Sequence, residues 1–138
     1  MRNGPIDFAI VTALKVERDS VLPRLVAVET FQEEGDPHTY YVGRVDVFGM
    51  GQAYRVVLTM LLEPGNYSAA ASTTRLIQRW QPKNVLMVGI AGGVAGKVAL
   101  GDVVVADFCY AYEQAKRRPD RDELRGQQLP TAKNLWLM

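Results

Sequence analysis

Two carboxylates, Glu17 and Asp19, stand in "TALKVERDSV", directly after an apolar run that reads as a strand. A carboxylate at such a place can accept a proton from water during hydrolysis. It can equally do no more than offset the positive end of a helix that starts there. Both readings stand on the residues alone. Further along, "MVGIAGGVAGKVALGDVVVAD" sets Gly89, Gly92, Gly93 and Gly96 between two strand-like runs. Glycines at a strand end let the backbone turn sharply and approach a ligand, because no Cβ intervenes. The segment is not a triphosphate loop, since Lys97 lacks both the GxxxxGK[ST] spacing and the hydroxyl residue that should follow. Asn66 either caps a helix or shapes a pocket floor, and Tyr110 and Tyr112 either pack or stack on a flat ligand ring.

Metal chemistry has little support. The single histidine, His38, lies in the polar stretch "EEGDPHTYY", the single cysteine is Cys109, and no His or Cys pair has ligand spacing. With 16 Lys and Arg against 15 Asp and Glu, the net charge of +1 gives no general attraction to nucleic acid or anionic membranes. The opening "MRNGPIDFAIVTALKVERD" has no long uncharged apolar core, so the default location is the cytoplasm.

The elements that must position these residues alternate. "IDFAIVTAL" reads as a buried strand and "KVERDSVLPRL" as a short helix bent or ended by Pro23. "TYYVGRVDVF" and "YRVVLTMLL" read as strands, with "VDVFGMGQAY" as a wide turn between them. "GNYSAAASTTRLIQRW" reads as a helix, since Ala69, Thr73, Ile77 and Trp80 recur at helical spacing. Two buried strands are expected over Asn84 to Ile90 and Asp102 to Ala106. The class is α/β. Between Glu113 and Arg125 five basic and four acidic residues read as a solvated loop, while the apolar "LWLM" at the end is a run that a folded protein normally buries.

The order and spacing of "IVTALKVERD", "EPGNYSAAASTTRLIQRWQPKNVLMVGIAGGVAGKVALGDVVVAD" and "YAYEQAK" resemble the amino-terminal half of the nucleoside phosphorylase and nucleosidase superfamily. The resemblance implies a three-layer α/β sandwich whose central mixed sheet is partly barrel-like and is incomplete in this chain. Residues 1–112 would be the amino-terminal part of that domain, and 113–138 a charged loop and the start of its second half. It implies cleavage of the bond between ribose and base through a cation-like transition state, with no metal and no other cofactor. Glu17 would then be the catalytic base, and Ala13, Gly65, Asn66, Gly89, Ile90, Ala91 and Gly92 would line the substrate.

Two positions separate phosphorolysis from hydrolysis. Phosphorolytic relatives carry an arginine two residues before the first glycine of the turn and a serine just after it, where this chain has Met87 and Ile90. Neither side chain binds an anion, and a thioether replaces none of the charge or paired donors of a guanidinium. The resemblance therefore implies a nucleosidase acting on a purine nucleoside or nucleotide. Ile90 departs from hydrolytic relatives as well, which often keep a hydroxyl residue there. In the family the carboxylate that holds the ribose and the acid that protonates the base come from the second half, so these 138 residues alone are expected to be inactive. A fragment, a processed product and a degenerate module all fit. Relatives of this style can serve as effector domains of larger defence-type proteins. The expected partners are a small nucleoside or nucleotide, and a second copy or further domains, with no nucleic acid and no membrane. The alternative is a non-catalytic interaction or nucleoside-sensing module built on the same fold.

Overall fold

Phe8–Thr12 is a short β-branched and aromatic run with no polar face, and it forms β1 in the interior of a sheet. The computed structural model describes residues 4–111, 115–117, 122–124 and 126–131. It divides into one unit over residues 1–92 and another over 93–138. In the first unit β1 is followed by α1 (Lys15–Val21), a 3₁₀ turn (Leu22–Arg24), β2 (Val26–Phe31), β3 (Tyr40–Val47), β4 (Gln52–Met60), α2 (Asn66–Trp80) and β5 (Asn84–Met87). Pro23 sits inside the 3₁₀ turn, so α1 stops before it, as the missing N–H requires.

The five strands form one open mixed sheet in the order β2-β3-β4-β1-β5. β1 is parallel to both β4 and β5, whereas β3 is antiparallel to β2 and β4. Side chains of β1 alternate between two clusters. Ala9 and Val11 pack with Ile6, Tyr40, Val42, Val57, Leu61 and Leu76 on the α2 side. Phe8 and Ile10 pack with Leu25, Val56, Leu58, Val21 and Leu22 on the other. Burial on both faces is the condition of an interior parallel strand, and it accounts for the unbroken apolar run.

Several expectations need correction, and the strand expected over Asn84 to Ile90 is the shorter, half-exposed edge strand β5. β2 escapes the sequence pattern because it is an exposed edge strand, bulged between Val26 and Glu29 with Ala27 at φ 52°; such an edge needs no apolar alternation, and its bulge discourages pairing with other chains. The strand expected over Asp102 to Ala106 is not formed, and Val103, Val104 and Val105 are exposed. Valine-rich sequence becomes a strand only against a hydrogen-bonding neighbour, and none pairs with this segment among the described residues. The wide turn is tight: strands β3 and β4 run into it, leaving residues 48–51 with Gly49 and Gly51 at φ 76° and 61°.

In the second unit β6 (Phe108–Ala111) pairs antiparallel with β9 (Gln127–Pro130), and β7 (Ala115–Arg117) with β8 (Asp122–Leu124). The charged stretch thus contains a backbone ladder where a loop is expected, since strand pairing needs only amide partners and not an apolar face. Tyr112, Glu113 and the terminal "LWLM" lie outside the described residues.

Candidate functional site

Parallel pairing brings three strand ends to one edge of the sheet. Thr12 of β1 stands opposite Met60 of β4, and Val11 opposite Met87 of β5. The segments that follow, 13–17, 61–66 and 88–92, therefore leave the sheet on the same side. The carboxyl ends of parallel strands are where α/β proteins hold their ligands, because the loops there are free to vary while the strands are fixed. All seven residues expected to line a substrate lie in these segments.

Glu17 is the charged group at the centre of this edge. It is the third residue of α1, and its Oε2 accepts from the backbone amides of Leu14 at 2.8 Å and Ala13 at 2.9 Å. This is the carboxylate half of a capping box; Leu14, at the N-cap, has no side-chain acceptor to supply the other half. Its Oε1 accepts from the amide of Ile90 at 2.9 Å. The residue is only 7% exposed, and burying a carboxylate is costly unless hydrogen bonds replace its water. Here three amides do so. The Ile90 amide is foremost in holding its pKa below the ordinary glutamate value, against the opposing effect of burial, with the Leu14 and Ala13 amides adding to it. Glu17 is therefore an ionised acceptor at neutral pH, suited to orienting a water molecule and facing positive charge.

The other expected residues fall in graded positions. Ala13, Gly89 and Ile90 touch or bond Glu17 directly, whereas Ala91 and Gly92 continue the turn as exposed residues. Gly65 is the N-cap of α2 with φ 131° and ψ 158°, a conformation that essentially only glycine adopts, and its carbonyl accepts from the Ala69 amide. Asn66 is thus the first residue of the helix and not its cap. Met87 and Ile90 expose their apolar side chains by 68% and 75%. Asp19 turns to the surface and pairs with Arg18. Tyr110 lies in the second unit with its ring against Gly126, which favours packing there over stacking on a base.

A second cluster has no local sequence signal. The ring of His38 joins Asp36 Oδ1 through Nδ1 at 2.8 Å and Ser72 Oγ through Nε2 at 2.8 Å, across 34 residues in the latter case. Asp36 also accepts from the His38 amide and from the Tyr40 hydroxyl, each at 3.0 Å. These are the residue types of an acyl-transfer triad. Ser72 is 2% exposed and His38 4%, so no substrate reaches the hydroxyl. The cluster is a strut that ties the β2–β3 connection to α2. Burial acts to raise the pKa of Asp36, but the amide and ring of His38 and the Tyr40 hydroxyl outweigh it and hold the carboxyl low. Burial, helped by the Asp36 carboxylate, pushes Tyr40 up to about 12. Among the described residues no group of His, Cys, Asp and Glu could hold a metal ion, and no helix is long and apolar enough to cross a membrane.

An open mixed sheet with an ionised carboxylate at the shared end of its parallel strands is the architecture of an α/β domain. The chain belongs to the phosphorylase superfamily, whose family model matches residues 7–133. It is 33% identical over 84 residues to the ATP nucleosidase Cap17 of Escherichia coli, a match covering 57% of this chain and 17% of that protein. It is 32% identical over 91 residues to the 5'-methylthioadenosine/S-adenosylhomocysteine nucleosidase of Listeria welshimeri, covering 58% of this chain and 36% of the relative. The corresponding nucleosidase of Colwellia psychrerythraea, solved in complex with adenine, superposes with a TM-score of 0.65 at 25% identity over 80% of this chain and 42% of that one. That of Streptococcus pyogenes, in complex with 5-methylthiotubericidin, gives 0.63 at 27% identity over 81% and 44%. The chain spans less than half the length of each of these relatives.

Proposed function

We propose that this chain supplies the water-holding side of a nucleosidase that hydrolyses the N-glycosidic bond of a purine nucleoside or nucleotide. The observation that carries the proposal is the ionised Glu17 carboxylate, bound by three amides at the carboxyl edge of β1, β4 and β5. As the ribose–base bond breaks, positive charge grows on the sugar, and a fixed negative charge nearby stabilises that state more than the neutral substrate. Water attacking such a cation needs orientation more than early proton removal. A carboxylate whose pKa is held down is a weak proton acceptor but a well-fixed one.

Met87 and Ile90 support water over phosphate as the nucleophile, because neither contributes a charge or a side-chain donor for an anion. Gly65 and Asn66, with Gly89, Ile90, Ala91 and Gly92, form the nearer walls for the ribose and base, and Ala13 closes the β1 side. The similarity to proteins named for ATP, methylthioadenosine and S-adenosylhomocysteine supports an adenosine-based substrate. In this reading residues 1–112 are the amino-terminal part of the catalytic domain and 113–138 lead into its second half. The resemblance noted in the sequence implies, in this reading, a cytoplasmic effector domain of a larger, self-associating defence-type protein.

The test is the product. The protein carrying this chain, incubated with adenosine-type and guanosine-type nucleosides and nucleotides, is expected to release free base and a sugar with a free anomeric hydroxyl, at a rate that added phosphate does not raise. Formation of ribose 1-phosphate overturns the hydrolase reading.

A further inference from the structure

We infer that Gly89 is a positioning residue for Glu17: its missing side chain leaves the space that the carboxylate fills, and the Ile90 amide immediately after it fixes Oε1 there. The inference rests on the proposed role of Glu17 and gives Gly89, already placed in the wall of the ribose and base, a second task, the seating of the carboxylate. A Cβ on residue 89 would lie 2.8 Å from Glu17 Oε1, closer than a side-chain carbon approaches another atom, and a tight 3.2 Å from Cδ. The carboxylate has no easy retreat. Its other oxygen is held by Ala13 and Leu14 at 2.9 and 2.8 Å, and the residue is 7% exposed.

Backbone conformation does not explain this glycine. Gly89 is absent from the positive-φ residues, unlike Gly65 at φ 131°. Crowding by the protein's own carboxylate is the reason instead. The glycine turn, whose composition suggests close approach of a ligand, is at its first residue the seat of the acidic group. A side chain there must turn the carboxylate away, breaking the bond to Ile90 or those to Ala13 and Leu14. The bond to Ile90 is also the foremost cause of the low pKa of Glu17, so its loss lets the carboxyl titrate higher.

The experiment combines Gly89→Ala, Glu17→Ala, the double variant and Glu17→Gln in the protein carrying this chain. Gly89→Ala is expected to lower kcat on the order of 10²-fold, as small misplacements of a catalytic group do, with little change in KM. The acid limb of its pH–rate profile should move up toward the ordinary glutamate range. The carboxyl carbon of Glu17, followed by carbon NMR, should titrate at higher pH than in the parent. The loss of thermal stability caused by Gly89→Ala should vanish in the Glu17→Ala background, where the space is free. Should Gly89→Ala fail to fold alone, recovery of folding in the double variant supports the inference, and failure in both backgrounds overturns it. Additive stability effects, or an unmoved Glu17 titration, overturn it too. If Glu17→Gln keeps full turnover while the two substitutions are non-additive, positioning stands and the catalytic reading of Glu17 falls.

Discussion

The amide of Ile90 donates to Glu17 Oε1 at 2.9 Å and so joins residues 73 apart, the first turn of α1 to the segment that follows β5. Neither partner could hold this geometry alone. The strand register fixes where Ile90 emerges, since Val11 pairs with Met87 and the Val88 amide donates to the Val11 carbonyl. The helix start fixes Glu17. Their bond ties the acidic group to the sheet edge, the fixed placement that the proposed role of Glu17 requires.

Glu17→Gln should cost about 10²-fold or more in turnover, because an amide has no proton-accepting charge to orient water or face the sugar. The fold should be weakened as well. With its oxygen kept between Ala13 and Leu14, the new amide nitrogen must face the Ile90 N–H, donor against donor. A buried donor left unpaired costs about 1–3 kcal/mol, so a measurable drop in melting temperature should accompany the loss of activity. Turnover within a few-fold of the parent would reduce Glu17 to a helix-start charge.

The acid limb of base release should lie below the ordinary glutamate range. Glu17 has a lowered folded pKa, so both its activity and its contribution to stability are complete above the unfolded value and are lost only as pH falls through the folded one. Rates of hydrolysis across pH 4 to 8 check this; an acid limb near neutrality would show that another group governs the step.

Most of this site was legible because it is built from short segments tied to strand ends. The run before Ala13, the carboxylate at the helix start and the glycine turn each carry a local pattern, and parallel pairing then brings them to one edge. The Ser72–His38 contact had no such pattern, since a bond over 34 residues depends on how α2 lies on the sheet. The expected strand over Asp102 to Ala106 failed for the opposite reason. Its composition was right, but composition supplies no neighbouring backbone.

Ser72→Ala should destabilise the protein without touching the chemistry. It leaves the buried Nε2 of His38 with no hydroxyl at 2.8 Å, and an orphaned buried polar atom costs about 1–3 kcal/mol. Denaturant unfolding should show the loss while base release by the folded protein stays within a few-fold. A fluorophosphonate probe should leave Ser72 unlabelled, because the hydroxyl is sealed. Labelling would make the cluster a reactive triad and end its assignment as a strut.

Gly65→Ala should be costly for a reason unlike that at Gly89. Nothing lies within 4 Å of a Cβ built on Gly65, so there is no clash to relieve. The cost is in the backbone, where φ 131° and ψ 158° exclude any L side chain, and strain of this kind is worth about 1–3 kcal/mol. The strain falls at the N-terminus of α2, where the segment after β4 enters the helix, so weaker substrate binding should appear together with the loss of stability. Because no contact with Glu17 is involved, the stability loss should be the same in the Glu17→Ala background as in the parent, which a pair of thermal melts will read directly. A loss that disappears in that background would place Gly65, like Gly89, against the carboxylate.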